Sequence, residues 1–286
     1  MVNYDFKNDC ILIRKLLKLS QKEFADELGV SFATINRIEN GRVLPSKIII
    51  ERIFDYAFSK NVRINSAKAE IMSEESDYIF FHGTNVEITG EIDLNHSKKK
   101  TDFGQGFYLG ETYKQAATYV SGERNGSVYV FKFDESKLNI VRFGVDLEWM
   151  LAISYYRETL NPKYHDKKMI KNLIDRIENA DVIIAPIADN SVYEILNQFS
   201  RGDITDLQAS HSLSASYLGD QHVIKSIKSL EFLMPLQRLY LCEKEKQFYI
   251  DVKVNEDEHA KTKVEASKIK YRRQGKYIEE ILDETN

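Results

Sequence analysis

A chain of 286 residues that is 43% hydrophobic and 29% charged, with only four prolines, has the composition of a folded globular protein and excludes a disordered or fibrous one. Its formal charge of −4 hides a split, because residues 1–70 hold twelve Lys or Arg against nine Asp or Glu, a net +3 against −7 for the remainder. Two distant cysteines, Cys10 and Cys242, exclude a disulfide framework, and no apolar run approaches the roughly eighteen residues of a membrane span.

Residues 1–9 lack the basic-then-apolar pattern of a secretion signal, so a cytoplasmic protein without membrane contact is expected. A mildly basic arm on an acidic body suits a nucleic-acid contact at one end. In chain order, Ile11, Leu12, Leu16 and Leu19 recur at helical spacing. Ser20 with Glu23 reads as a capping box opening a helix over Gln21–Leu28, which Gly29 stops. Ser31 caps a third helix through Glu39, and Pro45-Ser46 starts a fourth over Lys47–Phe58. The polar stretch 60–76 reads as a linker or linker helix.

From Tyr78 the texture changes to mixed strands and helices. Strands are predicted at 78–82, 127–133, 138–142, 181–187, 221–227 and 236–242. Helices are predicted at 112–120, 146–158, 166–179, 190–200 and 203–217. Residues 102–109 read as a glycine-broken loop, and the charged tail as a helix from about 256 to 276. The fold class expected is α+β, a small all-α bundle over 1–70 followed by a mixed domain over 77–243. Residues 244–286 then form a charged, mostly helical extension.

Within the bundle, Ala25 is small where two helices cross, and Gly29 permits the positive φ of a tight turn. Val30, Ile35 and Ile38 face inward. That leaves Ser31, Phe32, Ala33, Thr34, Asn36 and Arg37 on the outward N-terminal face of the second helix. The elements Ser20-Gln21, Phe24-Ala25 and Ile35 to Gly41 closely resemble the phage-repressor helix-turn-helix family of Cro or XRE type. The resemblance implies that Gln21 touches a phosphate or base, that Ser31 lies at the DNA surface, and that Thr34, Asn36 and Arg37 read the major groove. Such modules bind as dimers on paired half-sites, so a homodimer is implied. A bundle used only for dimerisation or partner docking is the alternative.

Three separated signals follow. Phe80-Phe81-His82-Gly83-Thr84 is a strand ending in a histidine that can hydrogen-bond a hydroxyl and a glycine whose backbone lies open. Asp102 to Gly110 places glycines at 104, 106 and 110 around Phe107 and Tyr108, with spacing unlike a Rossmann fingerprint. Gly219-Asp220-Gln221-His222 sets a polar residue at the head of a β-branched strand. Each alone has a structural explanation. Together and in this order they resemble the diphtheria-toxin/PARP-like ADP-ribosyltransferases, whose triad is His, Tyr and Glu on a split β-sheet. Gln115-Ala116 and Ala185 to Asn190 extend the match to a bacterial branch of that family.

The resemblance implies NAD as substrate and an ADP-ribose acceptor, protein or nucleic acid. His82, Tyr108 and Gln221 would be the catalytic positions. His82, Gly83, Thr84, Asp102, Gly104, Gly106, Phe107 and Tyr108 would line the NAD pocket. Gln221 departs from the triad's glutamate: it can hydrogen-bond a ribose but cannot act as a general base. Single transfer to an easily activated acceptor, help from a carboxylate such as Asp189 or Asp220, and lost activity all stay open. The pairing with a DNA-binding arm implies a toxin or phage-defence enzyme, with a possible antitoxin partner. No metal is expected, since the histidines and cysteines lack ligand spacing.

Overall fold

The computed structural model describes residues 2–188, 190–214, 217–272 and 274–284. Five helices open the chain: α1 (Phe6–Leu16), α2 (Gln21–Leu28), α3 (Phe32–Glu39), α4 (Lys47–Ser59) and α5 (Ile64–Glu75). Next come β1 (Ile79–Thr84), β2 (Phe107–Gly110), α6 (Tyr113–Val120), β3 (Ser127–Phe133), β4 (Ile140–Arg142) and α7 (Leu147–Tyr156). They are followed by α8 (Lys168–Glu178), β5 (Val182–Pro186), α9 (Asn190–Ser200), α10 (Asp206–Ser214) and β6 (Asp220–Ile224). β7 (Leu233–Tyr240), α11 (Glu243–Lys270) and α12 (Ile278–Glu284) complete the chain. A helical N-terminal region followed by mixed strands with helices is an α+β arrangement.

The elements group into two compact units that interleave in sequence. The first comprises Met1–Thr89, Thr112–Phe133 and Met234–Lys253. Its helical bundle forms as the local chemistry dictates. Ser20 accepts from Glu23 N–H while Glu23 returns a bond to Ser20 N–H, and Gly29 ends α2 in the left-handed region at φ 62°. Ser31 caps α3 by accepting from Thr34 N–H. The core is built from Cys10, Ile13, Phe24, Ile35, Ile38, Ile53 and Phe54, and it takes in Cys242 with Tyr240 packed against it. In the same unit β1 pairs antiparallel with β3, His82 opposite Tyr129, and α6 lies on β1.

The second unit comprises Gly90–Glu111, Asp134–Leu233 and Val254–Asn286. Its strands run in the order β4-β5-β6-β2. β4 and β5 are parallel, and β5–β6 and β6–β2 are antiparallel. The parallel pair requires a crossover, which α7 and α8 supply between the two strands. α7 is apolar almost all round and buried from Trp149 to Ser154, as a helix in a core must be.

Three sequence expectations change, and one open alternative is decided. The buried face of α1 is Cys10 and Ile13 with Leu17 packed beside them, whereas Leu16 is 52% exposed; the core-facing stripe is phased one residue from the most apolar one. Residues 107–110 are a strand and not loop, because antiparallel pairing with β6 recruits them. Of the two alternatives for stretch 60–76, a linker or a linker helix, the structure has the helix, α5, anchored by buried Ile64 and Ala69. The tail helix starts at Glu243 and not near 256. Its first N–H groups, from Glu243 and Lys244, bond the side chains of Glu51 (2.6 Å) and Asp55 (3.1 Å) on α4, caps that no local sequence reading exposes.

Candidate functional site

In the helix-turn-helix, the expected DNA-facing residues divide in two. Gln21 and Asn36 belong to an internal network. Arg14 grips Glu39 through Nε and a terminal nitrogen at 2.6 and 2.9 Å, Gln21 donates to Glu39 at 2.7 Å, and Asn36 donates to Gln21 at 3.1 Å. Burial pushes the Glu39 carboxyl up, but bonds from Arg14 and Gln21 outweigh it and hold it below its ordinary value. Ser31 and Thr34 bond each other at the helix start at 2.9 Å. Ser31, Phe32, Ala33 and Arg37 are exposed on the outward face of α3, and Thr34 is half-buried.

His82, Gly83 and Thr84 end β1 in the first unit. His82 is half-buried. A Cβ on Gly83 would meet the Ala116 carbonyl oxygen at 2.4 Å and Val120 Cγ1 at 2.9 Å, so the glycine is required by the close approach of α6. Thr84 turns the strand end, its hydroxyl accepting from Val86 N–H at 3.1 Å.

The remaining expected residues lie in the second unit and converge. Asp102, 5% exposed, is the hub. Its Oδ1 accepts from Arg157 at 2.7 Å and from the Tyr193 hydroxyl at 2.7 Å, and its Oδ2 accepts from Gln221 Nε2 at 2.8 Å. Arg157 also lies over the Tyr193 ring, 4.2 Å from its centroid. The Tyr108 hydroxyl accepts from Phe103 N–H at 3.1 Å and shares its proton between Thr101 Oγ1 and the Gly104 carbonyl, at 2.7 and 2.8 Å. Burial pushes this phenol above its usual range. Lys225 Nζ fastens the same loop by donating to the carbonyls of Phe103 and Gln105, at 2.8 and 3.1 Å. Gly104 supplies the loop's positive φ of 70°. At Gly106 a Cβ would meet the Ile224 carbonyl oxygen at 2.7 Å, and Phe107 pairs with Ile224 across the strands.

On β6, Gln221 lies between Gly110 of β2 and Ala185 of β5. Both neighbours are small, and the face they share with Gln221 is buried: Gln221 is 7% and Ala185 0% exposed. The adjacent His222 points to the opposite face, between Glu135 at 2.8 Å and Glu111 at 3.2 Å. Asp220 accepts from the Tyr217 hydroxyl at 2.8 Å, and Asp189 lies outside the described residues. Arg157, Tyr193 and Lys225 were not singled out from sequence. Arg157 carries the one usable signal, a lone cation directly after the apolar run of α7.

Among the described residues, Glu51, Asp55 and Cys242 have ligand atoms within 4.8 Å of one another. The two carboxylates there already accept the first N–H groups of α11, which makes the cluster a helix cap. No described helix is long and apolar enough to cross a membrane.

These features define a chain in two functional parts, a helix-turn-helix and a mixed-sheet region with a buried polar hub. Residues 12–56 match the Helix-turn-helix family, which supports DNA binding by this segment. Residues 78–234, more than half of the chain, match the family described as Protein of unknown function (DUF3990), and the chain belongs to that family. Comparison with curated proteins and with solved structures finds no match.

Proposed function

We propose that the chain is an NAD-dependent mono-ADP-ribosyltransferase of toxin or phage-defence type, whose helix-turn-helix serves autoregulation or targeting. The observation that carries this reading is the meeting of Asp102 and Gln221, distant in sequence, beside the loop that Tyr108 anchors. Two of the three residues implied by the transferase resemblance, Tyr108 and Gln221, thus stand at or beside one buried polar cluster.

The chemistry asks little covalent participation of the protein. The bond from ribose C1′ to nicotinamide breaks, nicotinamide leaves with the electron pair, and an acceptor nucleophile bonds C1′ and gives up its proton. Residues at the site hold the ribose, exclude water and stabilise the oxocarbenium-like sugar. With glutamine at 221 no general base stands at that position, which favours one transfer to a readily activated acceptor over chain elongation.

Labelled NAD incubated with the full chain and a cell extract tests the reading. Nicotinamide release with label on protein or nucleic acid is expected, and His82→Ala is expected to abolish both. Nicotinamide release without a labelled acceptor would make the chain a glycohydrolase. Absence of both products would overturn the enzyme reading. The amide at 221 favours one second reading, a transcriptional regulator whose transferase site senses NAD or another nucleotide without turnover. That reading expects operator binding that shifts when the dinucleotide is added.

A further inference from the structure

Gln221 stands where the resemblance implies a glutamate, and the residue it contacts gives that substitution a role. We propose that Asp102 and Gln221 act as one carboxylate–amide couple, in which Asp102 turns the Gln221 side chain so that its carbonyl Oε1 becomes the acceptor for a ligand hydroxyl. The proposal rests on the nucleotide reading only for the ligand, a ribose; the couple itself is a property of the fold.

The orientation follows from hydrogen-bond chemistry. Nε2 lies 2.8 Å from Asp102 Oδ2 and 3.2 Å from the Pro186 carbonyl oxygen, so both amide hydrogens are committed. The flipped amide would set Oε1 against a carboxylate and a carbonyl, three acceptors with no proton among them. Asp102 cannot turn away to relieve such a clash. Arg157 and Tyr193 both hold its Oδ1, which reserves Oδ2 for Gln221. The locked amide therefore presents Oε1 as its remaining polar atom, with only small residues, Gly110 and Ala185, beside it on the flanking strands.

The arrangement also has an electrostatic consequence. An amide whose N–H donates to a carboxylate is polarised, and its oxygen becomes a stronger acceptor. Negative charge is thus felt at Oε1 although the formal charge stays on buried Asp102, where Arg157 balances it. Asp102 acts through Gln221 and is a positioning residue. Glutamate at 221 would not improve such a site. It would place a second carboxylate at hydrogen-bond distance from the first, and like charges that close cannot both ionise without cost.

The test uses the full chain and three variants: Gln221→Glu, Asp102→Asn, and the exchanged double variant carrying both. Thermal melting is read at pH 8 and pH 5. Arg157, Tyr193 and Tyr108 are the other titratable groups around the pair. The couple expects Gln221→Glu to melt below wild type at pH 8. The deficit should shrink at pH 5, where a proton can bridge the two carboxylates. The double variant should recover part of the deficit at pH 8, because the amide now donates from position 102 to the carboxylate at 221, while the Pro186 carbonyl oxygen loses its donor. Equal melting of Gln221→Glu and wild type at both pH values, or no recovery in the double variant, would overturn the couple.

Nicotinamide release from NAD is the second readout. Gln221→Glu and Asp102→Asn are each expected to lose about ten- to a hundredfold, as when a charge-assisted hydrogen bond is removed. Release by Gln221→Glu at or above the wild-type rate would overturn the proposed role and mark Gln221 as a plain replacement of the triad acid. If wild type releases no nicotinamide, the transferase reading fails, and the melting comparison still decides whether the couple exists.

Discussion

Glu245 lies buried at the start of α11, its oxygens taking bonds from Asn65 and the Tyr113 hydroxyl at 2.8 Å each. Burial raises its carboxyl from 4.5 to about 7, against the lowering effect of those bonds. A carboxyl raised in the folded state keeps its proton where the unfolded chain has released it. Stability should therefore fall as pH climbs from 4.5 to about 7 and level off above that window. The span corresponds to about 3 kcal/mol. Glu245→Gln should flatten this slope, leaving a variant more stable than wild type at pH 8, as thermal melts will show. Arg37 has the opposite setting, exposed on α3. Arg37→Ala should leave melting unchanged and weaken operator binding roughly ten- to a hundredfold with relaxed preference at one base pair. Filter binding on matched and mismatched operators measures it.

At the scale of elements, contact between α6 and β1 is set by Gly83. The Ala116 carbonyl lies where a Cβ would stand, at 2.4 Å, so backbone and not a movable side chain is in the way. Gly83→Ala should cost about 2 kcal/mol by forcing the helix off the strand, visible as a lower urea midpoint with or without any nucleotide. A glycine beside a histidine reads in the sequence as backbone left open for a ligand, but its packing role comes from a helix more than thirty residues further along. The N-terminal helices were more legible. The ends of α2 and α3 follow from Ser20, Gly29 and Ser31 because each cap acts within four residues. The start of α11 was not legible, since its capping carboxylates come from α4.

Across the molecule, neither compact unit is a continuous stretch of sequence. The helical bundle closes its core with residues from the far end of β7: the Tyr240 ring meets Phe54 and Phe6 edge-on, at 5.3 and 5.8 Å, and its backbone carbonyl accepts from Asn65 at 2.7 Å. Tyr240→Ala should therefore destabilise the DNA-binding bundle by about 3 kcal/mol. Earlier melting and loss of operator binding near the midpoint are the expected signs, though residue 240 is remote in sequence from the helix-turn-helix. Operator binding equal to wild type across the melt would show that the bundle stands without it.

The sequence by itself determined what acts over short distances: the helix-turn-helix with its caps and turn, the strand that carries His82, and the polar head of β6. Tertiary structure decided which of these meet. Asp102 reaches Gln221 because β2 and β6 pair in a register that brings chain segments 119 positions apart to one hydrogen bond. Arg157 and Tyr193 join them because α7 and α9 pack into the same core. Periodicity and capping are local and leave a trace in composition. Register and helix packing are settled by the whole chain's burial, so the partner of Gln221 became visible only in the fold.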